Sequence, residues 1–192
     1  EVERKNSVRT RNQRLAVLHV FFDYLAQRVP EMLEVGERVA RIPPKRTAPP
    51  ETRFLERDEV QLLLDSLEHG PAIDSRDRAL FLFLYNTGAR AQEVASLRVG
   101  HIDWDPPRVR LHGKGGKWRA CPLWPETARL LRDLLGPPPH DPEGPVFVSQ
   151  RGGPLERFGI YKRVRKHAAC FDHIQANPGG GRVTPHVFRH TT

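Results

Sequence analysis

NTGARAQEVASLRVGHID, residues 86–103, is where the character of the chain changes. It follows DSRDRALFLFLYNTG, residues 74–88, which is apolar nearly all the way round and so predicts a helix buried on every side. Gly88 breaks that run, and ARAQEVASLRV restarts a short helix with Arg90 in its first turn and Glu93 three residues on, able to orient it. Beyond it, HIDWDPPRVRLHGKGGKWRACPL, residues 101–123, alternates apolar and polar residues between turn formers, which predicts three small strands. A buried helix that gives way to a small meander indicates a mainly α fold with one small antiparallel β-sheet, of the α+β class.

Toward the N-terminus, Val60, Leu63, Leu64 and Leu67 mark a helix in RDEVQLLLDSL. RIPPKRTAPPETR, residues 41–53, contains four prolines and no periodic apolar pattern, and reads as a stiff linker. Ahead of it, Leu15, Leu18, Phe22, Leu25 and Val29 recur at steps of three and four after Thr10 and Gln13 in capping-box spacing, which predicts one amphipathic helix. One helix cannot bury its own stripe, so residues 1–40 are expected to be the end of a larger helical domain, with a second domain over 54–192. Toward the C-terminus, ETARLLRDLL reads as helix and PVFVS as a short extended segment. A basic helix from about Glu156 to Cys170 is followed by the break NPGGGR, and then by a helix start with Thr184 as N-cap and Pro185 as first helical residue.

Charge narrows the partner. The 192 residues carry 31 Lys and Arg against 23 Asp and Glu, a formal +8. Residues 151–192 alone hold eight basic residues against two acids, a local basic face that favours a polyanion such as nucleic acid. At helical spacing Lys162, Arg165 and Lys166 share one side of YKRVRKH, suited to phosphate contacts. No run approaches the roughly 18 apolar residues of a membrane span, and the first residues lack the apolar stretch of a signal peptide, so a cytoplasmic protein is expected. Cys121 and Cys170 lie far apart and outside any CxxC spacing, against a disulfide framework or a thiolate metal site.

Three stretches put strong donors where backbone turns expose them. Arg90 lies near a helix N-terminus, where an anion is favoured. Lys114 and Lys117 ride a glycine-containing hairpin tip in RLHGKGGKWR, which fails the phosphate-loop pattern because Trp118 follows the second lysine. In TPHVFRHTT, His186 and Arg189 fall at i, i+3 on one helix face, with His190 at i+4 from His186. That histidine pair lacks the glutamate and third ligand of a HExxH zinc site.

Together these stretches resemble the tyrosine recombinase, or phage integrase, family. The resemblance rests on NTGARAQEVASLRVGHID for its first-arginine box, GKGGKWRACPL for its lysine hairpin and PHVFRHTT for its His-x-x-Arg-His box, in the family's order. It implies a catalytic domain over 54–192 preceded by the end of a helical core-binding domain over 1–40. It assigns Arg90 and Arg189 to the grip on the scissile phosphate, Lys114 to protonation of the leaving 5′-hydroxyl, His186 to the phosphate and proton transfer, and Glu93 to support of the site. His190 takes a packing role, and Lys117, Arg119, Lys162, Arg165 and Lys166 are expected to contact DNA. The implied activity is site-specific DNA strand breakage and rejoining through a 3′-phosphotyrosine, as in integration and the movement of mobile elements. No metal, cofactor or ATP is expected; the partner is double-stranded DNA with specific recombination sites, and the enzyme acts as a homotetramer on it.

The chain departs from the family's pattern in its tyrosines. Tyr24, Tyr85 and Tyr161 all precede the His-x-x-Arg-His box, whereas the family's nucleophile follows it. The nucleophile is therefore expected beyond Thr192, and the fragment is expected to bind DNA without cleaving it. A non-catalytic DNA-binding protein of the same fold, a type IB topoisomerase-like enzyme and a metal hydrolase using His186 and His190 stand as alternatives.

Overall fold

The computed structural model describes residues 6–46, 55–67, 72–172 and 183–191, without the side chains of 72–74, 169–172 and 190. The chain divides into two compact units, residues 1–50 and 51–192. Among the described residues no helix is long and apolar enough to cross a membrane.

The N-terminal unit is a pair of helices, α1 (Val8–Ala26) and α2 (Leu33–Ala40), joined through a 3-10 turn at Pro30–Met32. The helix start lies earlier than the expected Thr10. Ser7 is the N-cap, its hydroxyl accepting the Thr10 N–H at 3.2 Å, so Thr10 sits inside the first turn. The second helix was not anticipated, because LEVGERVA is only eight residues long and carries a central glycine of low helix propensity, although its apolar residues gather on one face. Of the expected stripe only Leu15 is fully buried, while Leu18 and Val29 stay exposed. The proline-rich segment is not free at its start. Asn12 pairs with both backbone groups of Lys45, at 3.0 and 2.8 Å, and Arg11 donates to the Pro43 carbonyl at 2.9 Å, so residues 43–45 are fastened to α1. The remainder of that segment, residues 47–53, lies outside the described residues.

The second unit is built on α4 (Ala72–Thr87). Ala79 to Leu84 are all buried, as its all-round apolar pattern requires. Around it pack α3 (Arg57–Asp65), α6 (Pro125–Leu135) and α8 (Pro185–Thr191), with α5 (Ala91–Ala95) packed on α7 (Arg157–Asp172). Phe81 meets Phe188 of α8 with ring centroids 5.9 Å apart, and Phe83 meets Phe147 at the same separation. Each such fully buried ring stabilises the unit by about 1.5–3 kcal/mol. The three strands are β1 (Ile102–Trp104), β2 (Pro107–His112) and β3 (Trp118–Pro122), antiparallel in the order β1-β2-β3. Register pairs Val109 with Ile102 and Cys121, and Leu111 with Arg119. Val109 and Leu111 face the core, so the sheet buries one side and leaves the other to solvent.

A buried ionic cluster fixes α7 to α4. Asp77 is wholly buried and accepts hydrogen bonds from the Arg76 guanidinium, with Nε at 2.9 Å. His167 Nε2 lies 3.2 Å from its other oxygen, and Arg163 is 3.9 Å away. Arg76 also donates to the Val148 carbonyl at 2.9 Å, which ties in the extended segment before α7. Burial alone would raise the Asp77 pKa, but the hydrogen bonds from His167 and Arg76 and the charges of Arg76 and Arg163 outweigh it and hold the carboxyl below its ordinary 3.8.

A lowered carboxyl pKa means that the unfolded state binds the proton more readily, so Asp77's contribution is complete above about pH 4 and is lost as pH falls through the lowered value. Asp77→Asn removes the charge while leaving the buried Arg76 guanidinium without its counter-ion, and is expected to destabilise the neutral-pH protein by about 3–5 kcal/mol. Urea denaturation between neutral and acid pH should show the variant and the unsubstituted protein converging as pH drops below 4.

Candidate active site

Gly88, at φ 56°, turns the chain out of α4 in a conformation that side-chain-bearing residues adopt only with strain. Arg90 follows as the N-cap of α5, with φ −73° and ψ 149°, one position outside the helix and not within its first turn as expected. A cation at a helix N-terminus opposes the helix dipole. Glu93 answers it: one carboxylate oxygen accepts the Arg90 backbone N–H at 2.9 Å and the other the Arg90 guanidinium at 3.0 Å. Glu93 is only 4% exposed, whereas the Arg90 side chain is 48% exposed and faces outward. Burial would raise the Glu93 pKa, but the bonds from the Arg90 backbone and side chain and from Arg119 hold it below its usual 4.5.

The lysine hairpin approaches the same carboxylate. Its base is closed by the Gly113 N–H donating to the Lys117 carbonyl at 2.7 Å. A Cβ on Gly113 would lie 3.2 Å from Glu93 Oε1, so the bare backbone is what lets the hairpin come this close. Lys114 and Lys117 are exposed at the tip. Trp118 stands at the foot of the hairpin between His112 and His101, with ring centroids 4.8 and 5.0 Å away. Arg119 follows on β3. Its guanidinium is turned inward, donating to Glu93 Oε2 at 2.8 Å, to the Thr87 carbonyl at 3.2 Å and to Cys121 Sγ at 2.9 Å.

Helix α8 supplies the third piece. Pro185 opens it, as the sequence predicts, and Arg189 reaches 101 residues back in sequence to donate to the Gly88 carbonyl at 3.1 Å. Arg90, His186 and Arg189 line one cavity of about 670 Å³, together with Gln92, Arg157 and Tyr161. Lys114, Lys117, Lys162, Arg165 and Lys166 do not line it. Lys162 and Lys166 instead border a second concavity beside α7, with Arg151 and Arg163. Arg157 and Gln92 were missed by sequence reasoning, since a charged residue opening a basic helix reads as solvated face. Tyr161 stands in the cavity wall with its ring parallel to Phe158 at 6.4 Å. Tyr85 packs edge-on against Trp124 at 5.3 Å. Among the described residues no three His, Cys, Asp or Glu side chains converge as a metal site, and the His190 side chain lies outside them.

With two arginines and a histidine converging from the segments around residues 90 and 186–189, the comparisons with known proteins are decisive. Residues 53–192 match the sequence profile of the phage integrase family. The chain belongs to that family, the tyrosine recombinases. It is 35% identical over 195 residues to y4rD of Sinorhizobium fredii, an integrase/recombinase by name, covering 99% of this chain and 69% of that protein. Tyrosine recombinase XerC of Chromobacterium violaceum is 33% identical over 135 residues, covering 70% of this chain and 43% of XerC. Solved structures share the fold: XerA recombinase with a TM-score of 0.55 at 19% identity over 92% of this chain and 66% of XerA. XerH bound to its difH substrate aligns with a TM-score of 0.57 at 24% identity over 79% of this chain and 43% of XerH. The chain thus spans well under the full length of most of these proteins.

Glu93→Ala deletes the acceptor of three hydrogen bonds at once, while the two guanidinium groups it leaves are half and one-third exposed to water, for an expected loss of about 1–3 kcal/mol in urea denaturation. Lys114→Ala, at an exposed tip, is expected to change stability by less than about 0.5 kcal/mol.

Proposed function

We propose that the full-length protein is a site-specific recombinase that breaks and rejoins duplex DNA through a 3′-phosphotyrosine. The observation that carries this reading is the convergence of Arg90, His186 and Arg189 on one cavity, with a lysine hairpin packed against the carboxylate that holds Arg90. A phosphodiester attacked by an oxygen nucleophile gains negative charge on its nonbridging oxygens, and two fixed guanidinium groups stabilise that charge bidentately. Arg90 and Arg189 take this role. His186 hydrogen-bonds the phosphate and assists proton transfer. As the tyrosine oxygen bonds to phosphorus and the bond from phosphorus to the 5′-oxygen breaks, Lys114 gives that oxygen its proton. The ester conserves the bond energy, so an incoming 5′-hydroxyl reverses the step and joins a new strand without ATP.

In this reading residues 54–192 form the catalytic domain and 1–40 the end of the core-binding domain, acting in the cytoplasm as a homotetramer on paired recombination sites. Lys117, Lys162, Arg165 and Lys166 contact DNA phosphates outside the reacting one. None of Tyr24, Tyr85 and Tyr161 is the nucleophile; the full-length protein supplies it, and the 192 residues alone bind duplex DNA without cutting it. The DNA-bound state of XerH, whose structure is a pre-cleavage complex, supports this assignment of the substrate class by analogy of fold.

Arg90→Ala and Arg189→Ala in the full-length protein are expected to slow formation of the covalent DNA adduct by about 100-fold or more while leaving duplex affinity nearly unchanged, because both act on developing charge. Normal adduct formation by Arg90→Ala would refute the assignment. Lys162→Ala and Lys166→Ala should do the reverse, each lowering the slope of log affinity against log salt by about 0.9. Tyr161→Phe should form the adduct at the unsubstituted rate; its loss would move the nucleophile onto α7.

A further inference from the structure

We propose that Arg119 is a positioning residue that sets the geometry and free charge of Arg90, and that it does not contact DNA. The inference rests on the recombinase reading above and adds a member to its site. Along β3 exposure alternates residue by residue, and Arg119 and Cys121 fall on the inner side while Trp118, Ala120 and Pro122 face out. A phosphate contact would call for an outward residue. Arg119 instead spends its fork inward, on the Glu93 carboxylate, the Thr87 carbonyl and Cys121 Sγ, at 2.8, 3.2 and 2.9 Å. A rigid planar fork that reaches two oxygens on different segments fixes their separation, which a flexible lysine ammonium does not.

Two consequences follow for Arg90. The first is geometric. Arg119 bonds the Thr87 carbonyl and Arg189 bonds the Gly88 carbonyl, so two adjacent carbonyls of one turn carry one guanidinium each. Through Glu93, Arg119 links that turn to Arg90, and the placements of Arg90 and Arg189 become coupled. The second is electrostatic. Glu93 facing Arg90 alone would form a neutral pair. With Arg119 sharing the same carboxylate, the three groups carry a net positive charge, and the exposed member is Arg90, at 48% against 35% for Arg119. The inner arginine thus neutralises the carboxylate and leaves the outer one charged toward the cavity.

The test uses the full-length protein, with Arg119→Ala, Arg119→Lys, Glu93→Gln and the Arg119→Ala, Glu93→Gln pair. Affinity for a short duplex is measured across a salt series, and the covalent adduct is timed on a nicked duplex that the unsubstituted protein cleaves. The expected result is an adduct rate lower by about 100-fold in Arg119→Ala, in line with small misplacements of catalytic groups. Arg119→Lys should not restore the rate, and neither affinity nor salt slope should change. The double variant should lose little more than the worse of its two parents, since both act through one unit. If Arg119→Ala fails to fold, Arg119→Lys carries the comparison. A salt slope reduced by about 0.9, with affinity restored by lysine, would make Arg119 a phosphate contact and overturn the proposal; so would an unchanged adduct rate or additive losses in the double variant. Absence of any adduct from the unsubstituted protein would instead remove the recombinase reading, and this inference with it.

Discussion

Glu93 is a charge taken out of water, and several features of the second unit follow from the partners it therefore requires. An ion in a protein interior carries a penalty of several kcal/mol unless its lone pairs are met by good donors. Glu93 meets them with one backbone N–H and two guanidinium groups drawn from the loop before α5 and from β3. The same carboxylate cancels the unfavourable placement of Arg90 at a helix N-terminus. It also stands close to the lysine hairpin, where a Cβ at position 113 would come within 3.2 Å of its oxygen.

Glu93 is anchored in turn by α4. The carbonyls of Thr87 and Gly88, at the negative end of that helix, receive Arg119 and Arg189. Near its other end Arg76 and Asp77 hold α7 through His167 and Arg163. Both walls of the cavity, the Arg90 turn and the face of α7 that bears Tyr161, are therefore tied by buried ionic groups to one helix that is itself locked in the apolar core. An all-round apolar helix has no solvent face to rotate toward, so it serves as a rigid reference for both.

What could be read from the sequence was local. The burial of α4, the three strands, the start of α8 and the Arg90–Glu93 pair follow from periodicity, turn residues and i, i+3 spacing, each contained within a few residues. The missed features are non-local or locally ambiguous. His167 meets Asp77 across 90 residues, and no pattern near either announces it. Arg119 reads as one more basic residue beside Lys117 until strand register decides which side it occupies. Ser7 and Thr10 are both good caps, and only the backbone path chooses Ser7. The α2 helix is short and has a glycine at its centre, and its place against α1 comes from packing and not from propensity.

Under the proposed chemistry, the contrast between the arginines and the lysine has a physical reason. Charge that develops on nonbridging oxygens is stabilised most by dipoles and cations already in place, because reorganising them during the reaction would consume the gain. Arg90 and Arg189 fit this demand: each is bonded to a backbone turn or a buried carboxylate in the absence of DNA. A proton donor faces a different demand, since it must reach one oxygen at the moment the bond to phosphorus breaks. Lys114 stands at an exposed hairpin tip outside the cavity, where the position of its ammonium is set by the DNA that arrives and not by the free protein. Rigid charge and adjustable proton donor are thus placed on different kinds of element, linked where the hairpin meets the carboxylate that holds Arg90, through Arg119 of β3 and the close approach of Gly113.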